Sequence, residues 1–313
     1  MRIDVHQHLW TPALVQALAQ RRELPFVRRE RGLSVLYSAG ERPYVLADEA
    51  PEGRAALVAS DGLDGALVCL SSAIGVESLP AAEAAVLLDA YHESALALDG
   101  PFRAWGTLGL ADPDPGDVDR ALRRGCVGIS LPAGALASGE LVVRLRPVLE
   151  RLEQLGSPLF VHPGPGPRSD AAAPLPVPSL GEPLWWPGLT RYVAEMQAAW
   201  LALLTAGRAA HPQLVFVFAM LGGLAPLHAE RLAARGGPEL DLRDRLVFYD
   251  TSSYGPVAVR ALQGVVGPAQ VLYGSDRPVV DPGEHGLATR LDWVAVADAT
   301  QRAFSGSALE AQL

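Results

Sequence analysis

The amino-acid sequence predicts an α/β protein, a (β/α)8 TIM barrel with loop insertions on its C-terminal face, formed by residues 1–313 as one domain. Short apolar or β-branched runs recur along the chain. Each is followed by a polar or glycine-rich turn and a longer stretch rich in Ala, Leu, Arg and Glu, which is typical of βα units around a parallel sheet. The composition, with 49% hydrophobic and 19% charged residues, agrees with strands that are buried on both faces.

Eight segments have the apolar pattern of strands, and eight is the strand number of this barrel. They comprise residues 3–8, 65–71, 103–110, 126–131, 158–162, 214–219, 246–251 and 270–275. Helices are expected at residues 82–98, 114–125, 139–155, 187–209, 224–235, 256–265 and 286–304. In residues 114–125, an acidic first turn and an Arg-rich end closed by Gly125 match the helix macrodipole and the usual C-cap.

Two irregular insertions interrupt the alternation, one near residues 20–60 and one at residues 163–188. The second is rich in Pro and Gly and contains Arg168, Trp185 and Trp186. Because it follows a strand, we expect it at the C-terminal face of the barrel, where long loops usually shape the substrate pocket. The alternative interpretation is a disordered surface flap.

The charged residues exclude several classes of function. The net charge is −9 and no basic run is long enough to follow a phosphate backbone, so nucleic-acid binding is not expected. All 26 basic residues are Arg. Without Lys, the chain can form neither a Schiff base nor a two-metal centre bridged by a carboxylated Lys.

The apolar segments favour a cytoplasmic protein. The longest uncharged stretch, residues 214–227, is too short to span a membrane, and the first residues lack the pattern of a secretory signal. Cys69 and Cys126 each lie in an apolar run, where a buried, inert thiol is expected rather than a disulfide or a ligand.

Two histidines in the first strand, His6 and His8, indicate a metal centre. Alternate residues of a strand point to the same face about 6.6 Å apart, so both imidazoles can bind one ion. His162 and Asp276 end later strands and should emerge at the same face. Taken singly, His162 reads as a core histidine and Asp276 as a turn residue. Together the four predict one divalent metal ion, expected to be zinc, with a position left for water.

Five motifs carry a resemblance to a known family: IDVHQH at the start, LFVHPG at residues 159–164, LGG at 221–223, YDTS at 249–252 and GSDRP at 274–278. With them the chain resembles the amidohydrolase-related group that includes aminocarboxymuconate-semialdehyde decarboxylase and other nonoxidative decarboxylases. The resemblance covers nearly the whole chain. It implies metal ligands at His6, His8, His162 and Asp276, a small-molecule substrate and a homodimer.

One position departs from the family pattern. Members usually carry a His before Leu-Gly-Gly, which acts as an acid or base, and here Met220 stands in its place. A thioether cannot carry a proton near neutral pH, so the usual proton shuttle is missing. His228 is expected on the solvated face of the following helix. Asp276 is therefore the candidate catalytic residue.

Three functions stay open at this point. The first is nonoxidative decarboxylation of a small carboxylated, cyclic or aromatic compound, which the resemblance implies. The second is hydrolysis of a lactone or amide with Asp276 as the sole base, which the absence of a second acid favours. The third is a barrel that keeps its metal but has lost catalysis and binds a ligand.

Several residues are candidates for holding a carboxylated, flat substrate. The planar guanidinium of Arg suits a carboxylate because it donates two parallel hydrogen bonds. The candidates are Arg277, Arg168, Trp10, Trp185 and Trp186, with less support for Asp250 and Tyr254. The alternatives are a rim ion pair for Arg277 and packing for the tryptophans. His92, His211 and His285 are expected to be structural.

Overall fold

Eight parallel strands form the centre of the fold in a computed structural model, which describes residues 1–167, 183, 185–282 and 290–309. A further three strands form a small antiparallel sheet. In chain order the strands are β1 (Ile3–Gln7), β2 (Phe26–Glu30), β3 (Leu33–Tyr37), β4 (Tyr44–Val45), β5 (Gly65–Val68), β6 (Phe102–Ala104), β7 (Ile129–Pro132), β8 (Leu159–His162), β9 (Phe216–Phe218), β10 (Val247–Asp250) and β11 (Val271–Leu272).

The eight parallel strands close into a ring. They form two arcs, ordered β1-β5-β6 and β7-β8-β9-β10-β11. A parallel bridge between Gly106 and Ile129 joins β6 to β7, and another between Gln7 and Arg277 joins β1 to the segment after β11. At this second seam, the His8 N–H donates to the Arg277 carbonyl at 2.7 Å. The predicted (β/α)8 barrel is confirmed.

Aromatic side chains fill the barrel below its C-terminal end. Trp105 stacks on Phe160 with a centroid distance of 4.9 Å, and the Trp105 indole N–H donates to the Val5 carbonyl at 2.9 Å. The His6 ring meets the edge of Phe160 at 5.1 Å. Both aromatic residues are fully buried, so they form an apolar floor beneath the polar end of the barrel.

Twelve α-helices occur in the described residues. They are α1 (Pro12–Ala19), α2 (Pro51–Ser60), α3 (Ala81–Leu96), α4 (Pro115–Arg123), α5 (Gly139–Arg144), α6 (Arg146–Gln154), α7 (Trp186–Leu189), α8 (Arg191–Ala202), α9 (Arg208–Ala210), α10 (Ala229–Ala234), α11 (Pro256–Val266) and α12 (Trp293–Ala303). Across the described part of the chain, none combines the length and the apolar character that crossing a membrane requires.

Local chemistry explains where these helices begin. Asp114 caps α4 by accepting from the Gly116 N–H at 2.9 Å, and Pro115 occupies the first helical position. Asp292 likewise caps α12, which begins at Trp293 rather than near residue 286. The helix predicted at 224–235 was wrong at its start, since α10 begins only at Ala229 after a left-handed turn.

The first insertion is ordered, contrary to the expected irregular segment. β2, β3 and β4 pair as an antiparallel sheet, and α2 follows them. Of the second insertion, residues 168–182 and 184 lie outside the described residues, and so does Arg168.

Arg54 of α2 ties the first insertion to the seam of the barrel. Its side chain is 1% exposed. The guanidinium donates to Gln7 Oε1 at 3.1 Å and to the His8 carbonyl at 3.0 Å, and it pairs with Glu49. The buried Arg54 guanidinium therefore holds the first insertion against the end of β1, where His6 and His8 lie.

Replacing Arg54 by Met is expected to lower the free energy of unfolding by about 3 kcal/mol, because Glu49 and the His8 carbonyl lose a buried donor. Urea unfolding followed by circular dichroism measures the change. Arg146→Met is the control, since Arg146 is exposed and pairs with Glu150 along its own helix; its effect should stay within about 0.5 kcal/mol. Equal losses in the two variants would contradict a role for Arg54 at the seam.

Candidate metal centre

Four side chains meet at the C-terminal end of the barrel. His8 Nε2 lies 3.3 Å from His6 Nε2 and 3.3 Å from His162 Nε2. Asp276 Oδ1 lies 3.3 Å from His8 Nε2 and 3.7 Å from His6 Nε2. The structure thus brings together the three imidazoles and the carboxylate that the sequence singled out, and all four residues are buried.

The second nitrogen of each imidazole identifies the tautomer. Each Nδ1 atom faces an acceptor: Asp250 Oδ2 for His6 at 2.7 Å, the Cys69 carbonyl for His8 at 3.0 Å and the Pro163 carbonyl for His162 at 2.7 Å. Because these acceptors cannot donate, Nδ1 carries the proton in each neutral imidazole, and Nε2 keeps the lone pair that can bind a metal ion or a second proton. Three lone pairs converging in a buried space repel one another unless a cation lies between them. This donor set fits a divalent metal ion.

The pKa values of the three histidines and Asp276 also indicate that the centre favours positive charge. Burial lowers the pKa of His8, but the neighbouring Cys69 and the hydrogen bond with Asp276 outweigh it and raise the pKa to about 9. Burial lowers the pKa of His6 as well, but Cys69 and Asp250 outweigh it and raise that pKa. Burial and the charges of His6 and His8 lower the pKa of His162. Burial raises the pKa of Asp276, but the adjoining imidazoles hold it below its usual value. Protons supply the charge that a metal ion would supply.

A strained turn aims Asp276 at the imidazoles. Its φ is 62°, in the left-handed region that a residue with a side chain rarely adopts. The Asp276 N–H donates to the His6 carbonyl at 2.9 Å, and Ser253 Oγ donates to Asp276 Oδ2 at 2.6 Å. These two bonds hold the carboxylate while Oδ1 faces the histidines. The sequence analysis missed Ser253.

Asp250 orients His6 from behind. Its Oδ2 accepts from His6 Nδ1, and its Oδ1 accepts from the Met220 N–H at 3.0 Å and the Ser252 N–H at 2.9 Å. The residue is fully buried. Carboxylate, imidazole and metal position form the arrangement by which proteins fix a ligating histidine. The sequence had offered Asp250 as a less supported substrate contact, whereas its carboxylate is bonded to His6, Met220 and Ser252.

Cys69 lies against the same centre, where the sequence had indicated only an inert core thiol. It follows β5, is 2% exposed, and its Sγ is 3.5 Å from His8 Nδ1. The ligand atoms of His6, His8, His162 and Cys69 all lie within 4.8 Å of one another. The ALVCL pattern could not predict that Cys69 lies beside the histidines, because this contact arises from the pairing of β5 with β1.

Met220 opens a left-handed turn after β9. The φ angles of residues 220–224 all lie between 51° and 63°. Such a conformation costs about 1–2 kcal/mol for each residue other than Gly. Gly222 and Gly223 are needed because a Cβ would meet the Tyr249 ring at 3.2 Å or the Val193 carbonyl at 3.1 Å.

The Met220 side chain belongs to the main apolar core and is 7% exposed. An apolar group therefore occupies the position where the resemblance places a histidine. His228 is exposed, near Gln197, and so does not take over that position.

A polar cluster from the first insertion and α8 lies near the centre. It consists of Glu41, Tyr44, Arg191 and Tyr192 and is called the polar roof. Arg191 pairs with Glu41, and the Tyr192 hydroxyl donates to Glu41 Oε1 at 2.7 Å. Burial raises the pKa of Tyr44 and raises that of Tyr192 to about 12, and the charge of Asp276 adds to both shifts. These residues belong to no motif, so the sequence analysis missed them.

Glu195, one turn along α8, is a second titratable carboxyl group in this roof. Burial raises its pKa to about 7, against the opposing charge of Arg191 and a hydrogen bond with the Gly164 backbone. Its Oε2 is buried and has no hydrogen-bond partner among the described residues. Gly164 stands two residues after His162, so this carboxyl group lies beside the loop that leaves the metal centre.

The predicted substrate contacts have different surroundings. Arg277 pairs with Asp61 at 2.9 Å at the rim of the barrel. Trp10 packs against an apolar cluster, and its buried indole N–H has no hydrogen-bond partner in the part of the chain that the structure describes. Trp185 and Trp186 are 59% and 44% exposed and contact each other.

The other described histidines do not join the centre. His92 Nε2 accepts from the Thr107 N–H at 3.1 Å, and the buried His211 lies 3.7 Å from Glu153. His285 lies outside the described residues.

Comparison with known proteins identifies relatives of the whole chain. Residues 3–308 match the family model described as Amidohydrolase. No curated protein matches the sequence significantly.

Three solved structures share the fold. IDCase of Metarhizium anisopliae is 19% identical, with a TM-score of 0.71 over 99% of this chain and 94% of the other. The 5-carboxyvanillate decarboxylase of Sphingomonas paucimobilis is 18% identical, with a TM-score of 0.70 over 97% and 98%. The enzyme of that name from Novosphingobium aromaticivorans, with bound manganese and 3-methoxy-4-hydroxy-5-nitrobenzoic acid, is 21% identical, with a TM-score of 0.62 over 83% and 80%.

Replacing Asp250 by Asn is expected to weaken metal binding by about 10–100-fold. The Asn amide can keep the bond to the Met220 N–H, but it presents a donor to His6 Nδ1. His6 must then carry its proton on Nε2, where the metal would bind. Isothermal titration of the metal-free protein with Zn²⁺ measures the affinity. Asp292→Asn is the control, since Asn caps a helix as well as Asp. Equal affinities in the two variants would contradict this role of Asp250.

Proposed function

Because this chain belongs to the amidohydrolase family, whose model matches residues 3–308, we propose that it catalyses the metal-dependent, nonoxidative decarboxylation of a small aromatic carboxylate. The observation that carries the proposal is the convergence of three imidazole lone pairs and the Asp276 carboxylate beneath a roof of tyrosines and arginine. We treat residues 1–313 as one catalytic domain. A homodimer, a cytoplasmic location and the absence of a nucleic-acid partner stay predictions.

The names of the structural relatives support this class of substrate. Two are 5-carboxyvanillate decarboxylases, and one of these has a substituted benzoic acid and manganese bound. A site for a carboxylated ring needs a cation for the carboxylate and flat walls for the ring. Arg191, Tyr192 and Tyr44 provide both in this chain. Arg277, Trp10, Trp185, Trp186 and Arg168 remain further candidates, and the unpaired indole N–H of Trp10 can donate to a ligand.

One divalent ion, which we expect to be zinc, would be held by His6, His8, His162 and Asp276. When bound, such an ion polarises the substrate oxygens and neutralises negative charge near the reacting carbon. Asp250, Ser253 and the Cys69 and Pro163 carbonyls keep the ligands in place.

In the proposed reaction, the bond between the ring carbon and the carboxylate breaks. The electron pair stays with the ring carbon, which receives a proton, and CO₂ leaves. Asp276 delivers this proton at its carboxylate, since it is the acid–base group among the converging side chains. Its lowered pKa makes it ionised at neutral pH, so it must first collect the proton it delivers. The Glu195 carboxyl group, with a pKa of about 7, can hold a proton nearby.

Hydrolysis of a lactone or amide is the second candidate. It is favoured by Met220, which leaves the site without the usual second acid or base, and by the ionised state of Asp276, which suits a base. A barrel that only binds a ligand is the third candidate. The complete set of converging ligands argues against it, since catalytic loss removes the reason to keep them.

The test is to incubate the metal-loaded protein with 5-carboxyvanillate and measure CO₂ release together with deuterium uptake from D₂O. Decarboxylation predicts one CO₂ released and one deuterium gained at the ring carbon for each substrate consumed. Asp276→Asn should reduce the rate by about 10²–10⁴-fold, whereas Asp292→Asn should leave it unchanged.

Ring opening of a lactone without CO₂ release from any aromatic carboxylate would favour the hydrolase instead. Binding of these compounds with neither reaction would support the ligand-binding barrel. An Asp276→Asn variant as active as the control would contradict the proposed proton transfer.

A further inference from the structure

We propose that the Cys69 thiolate is a further ligand of the metal ion held by His6, His8 and His162, and that it makes this centre selective for zinc over manganese. The inference rests on the metal centre of the proposed function and adds a sulfur donor to it. The inference rests on Cys69, which follows β5, and on the imidazoles of His6, His8 and His162.

The spacing of the donor atoms supports a shared ion. A zinc ion lies about 2.0–2.1 Å from an imidazole nitrogen and about 2.3 Å from a thiolate, so two such donors on one ion are at most about 4.4 Å apart. The Cys69, His6, His8 and His162 ligand atoms all lie within 4.8 Å of one another. The sulfur therefore lies close to the position that an ion held by these imidazoles would occupy.

The backbone fixes Cys69 in this place. Its N–H donates to the Gln7 carbonyl at 2.9 Å, and its own carbonyl accepts from His8 Nδ1 at 3.0 Å. The backbone of Cys69 is therefore bonded to Gln7 and to the His8 ring, and it cannot move away from them without breaking these hydrogen bonds. Within the protein its Sγ has weak partners, the Gln7 carbonyl at 3.6 Å and His8 Nδ1 at 3.5 Å.

Charge balance favours coordination in a buried site. A thiolate and the Asp276 carboxylate together carry two negative charges, which match one divalent cation. Isolated charges are costly away from water, so a neutral cluster is the stable arrangement. On coordination the S–H bond breaks, its proton passes to solvent, and the electron pair of the sulfur forms the bond to the metal.

The donor type determines which metal is preferred. Thiolates select zinc and other soft or borderline ions, whereas manganese prefers carboxylate, carbonyl and water oxygens. A relative of this chain is described with manganese bound. Cys69 would move the preference of this protein toward zinc.

The chain offers a matched control in Cys126. This second cysteine is equally buried but belongs to the apolar core, where burial raises the pKa of its thiol to about 12. Replacing either cysteine by Ser removes one sulfur and keeps the volume similar. A difference in metal binding between the two variants therefore shows that the effect depends on where the sulfur lies, beside the histidines or in the core.

The experiment is to load the metal-free protein and the variants Cys69→Ser and Cys126→Ser with Co²⁺ and record absorption spectra. The wild type and Cys126→Ser should show an intense near-ultraviolet band from charge transfer between sulfur and cobalt. Cys69→Ser should bind Co²⁺ without this band. In competition dialysis with Zn²⁺ and Mn²⁺, Cys69→Ser should lose about tenfold or more of the zinc preference that Cys126→Ser retains.

Co²⁺ bound by the wild type without the band would overturn the sulfur ligand while leaving the metal centre intact. No binding of any of these ions by the wild type would overturn both the inference and the proposed function. If Cys69→Ser does not fold, X-ray absorption at the zinc edge of the wild type decides: a sulfur neighbour at about 2.3 Å supports the inference, and a shell of only nitrogen and oxygen overturns it.

Discussion

The structure depends on one electrostatic constraint, the meeting of three imidazole lone pairs at a buried position. Each Nδ1 donates to an acceptor, so each Nε2 faces the centre, where only added protons or a bound cation relieve the repulsion. The pKa of His8, raised to about 9, records how strongly the cluster attracts positive charge. A bound cation resolves this repulsion, and the surrounding polar groups are arranged to hold the ligands for it.

The barrel provides the rigidity that this constraint demands. His6 and His8 lie at the seam where β1 meets the segment after β11, and Arg54 fastens the first insertion to the same seam. Apolar burial beneath the site, from Trp105 and Phe160, offsets the strain stored above it. That strain is concentrated at Asp276 and in the left-handed turn at residues 220–224, both at the C-terminal face.

The sequence predicted the fold because its strands are short apolar runs separated by strong turn signals, and these depend on local chemistry. It also singled out His6, His8, His162 and Asp276, because residues at the ends of parallel strands lie together at the C-terminal face of a barrel. Asp250, Ser253 and Cys69 could not be assigned in this way. Their roles come from contacts between strands distant in sequence, such as the 2.7 Å bond between Asp250 and His6.

Other features escaped prediction for different reasons. The β2–β4 sheet and the pair formed by Glu41 and Arg191 depend on how an insertion folds back over the barrel, which no local pattern encodes. The turn after Met220 resembles a helix start in sequence, because Leu and Ala follow it. Packing against α8 and the bonds that the Met220 N–H donates to Asp250 and Ser252 stabilise its left-handed conformation.

The central claim is that the three Nε2 atoms surround a metal ion. Crystals of the purified protein, measured by X-ray diffraction above and below the absorption edge of the metal it contains, test this claim most directly. The account predicts one strong anomalous peak at bonding distance from Nε2 of His6, His8 and His162. A peak elsewhere, or imidazoles joined by hydrogen bonds around a water molecule with no metal in the protein, would contradict it.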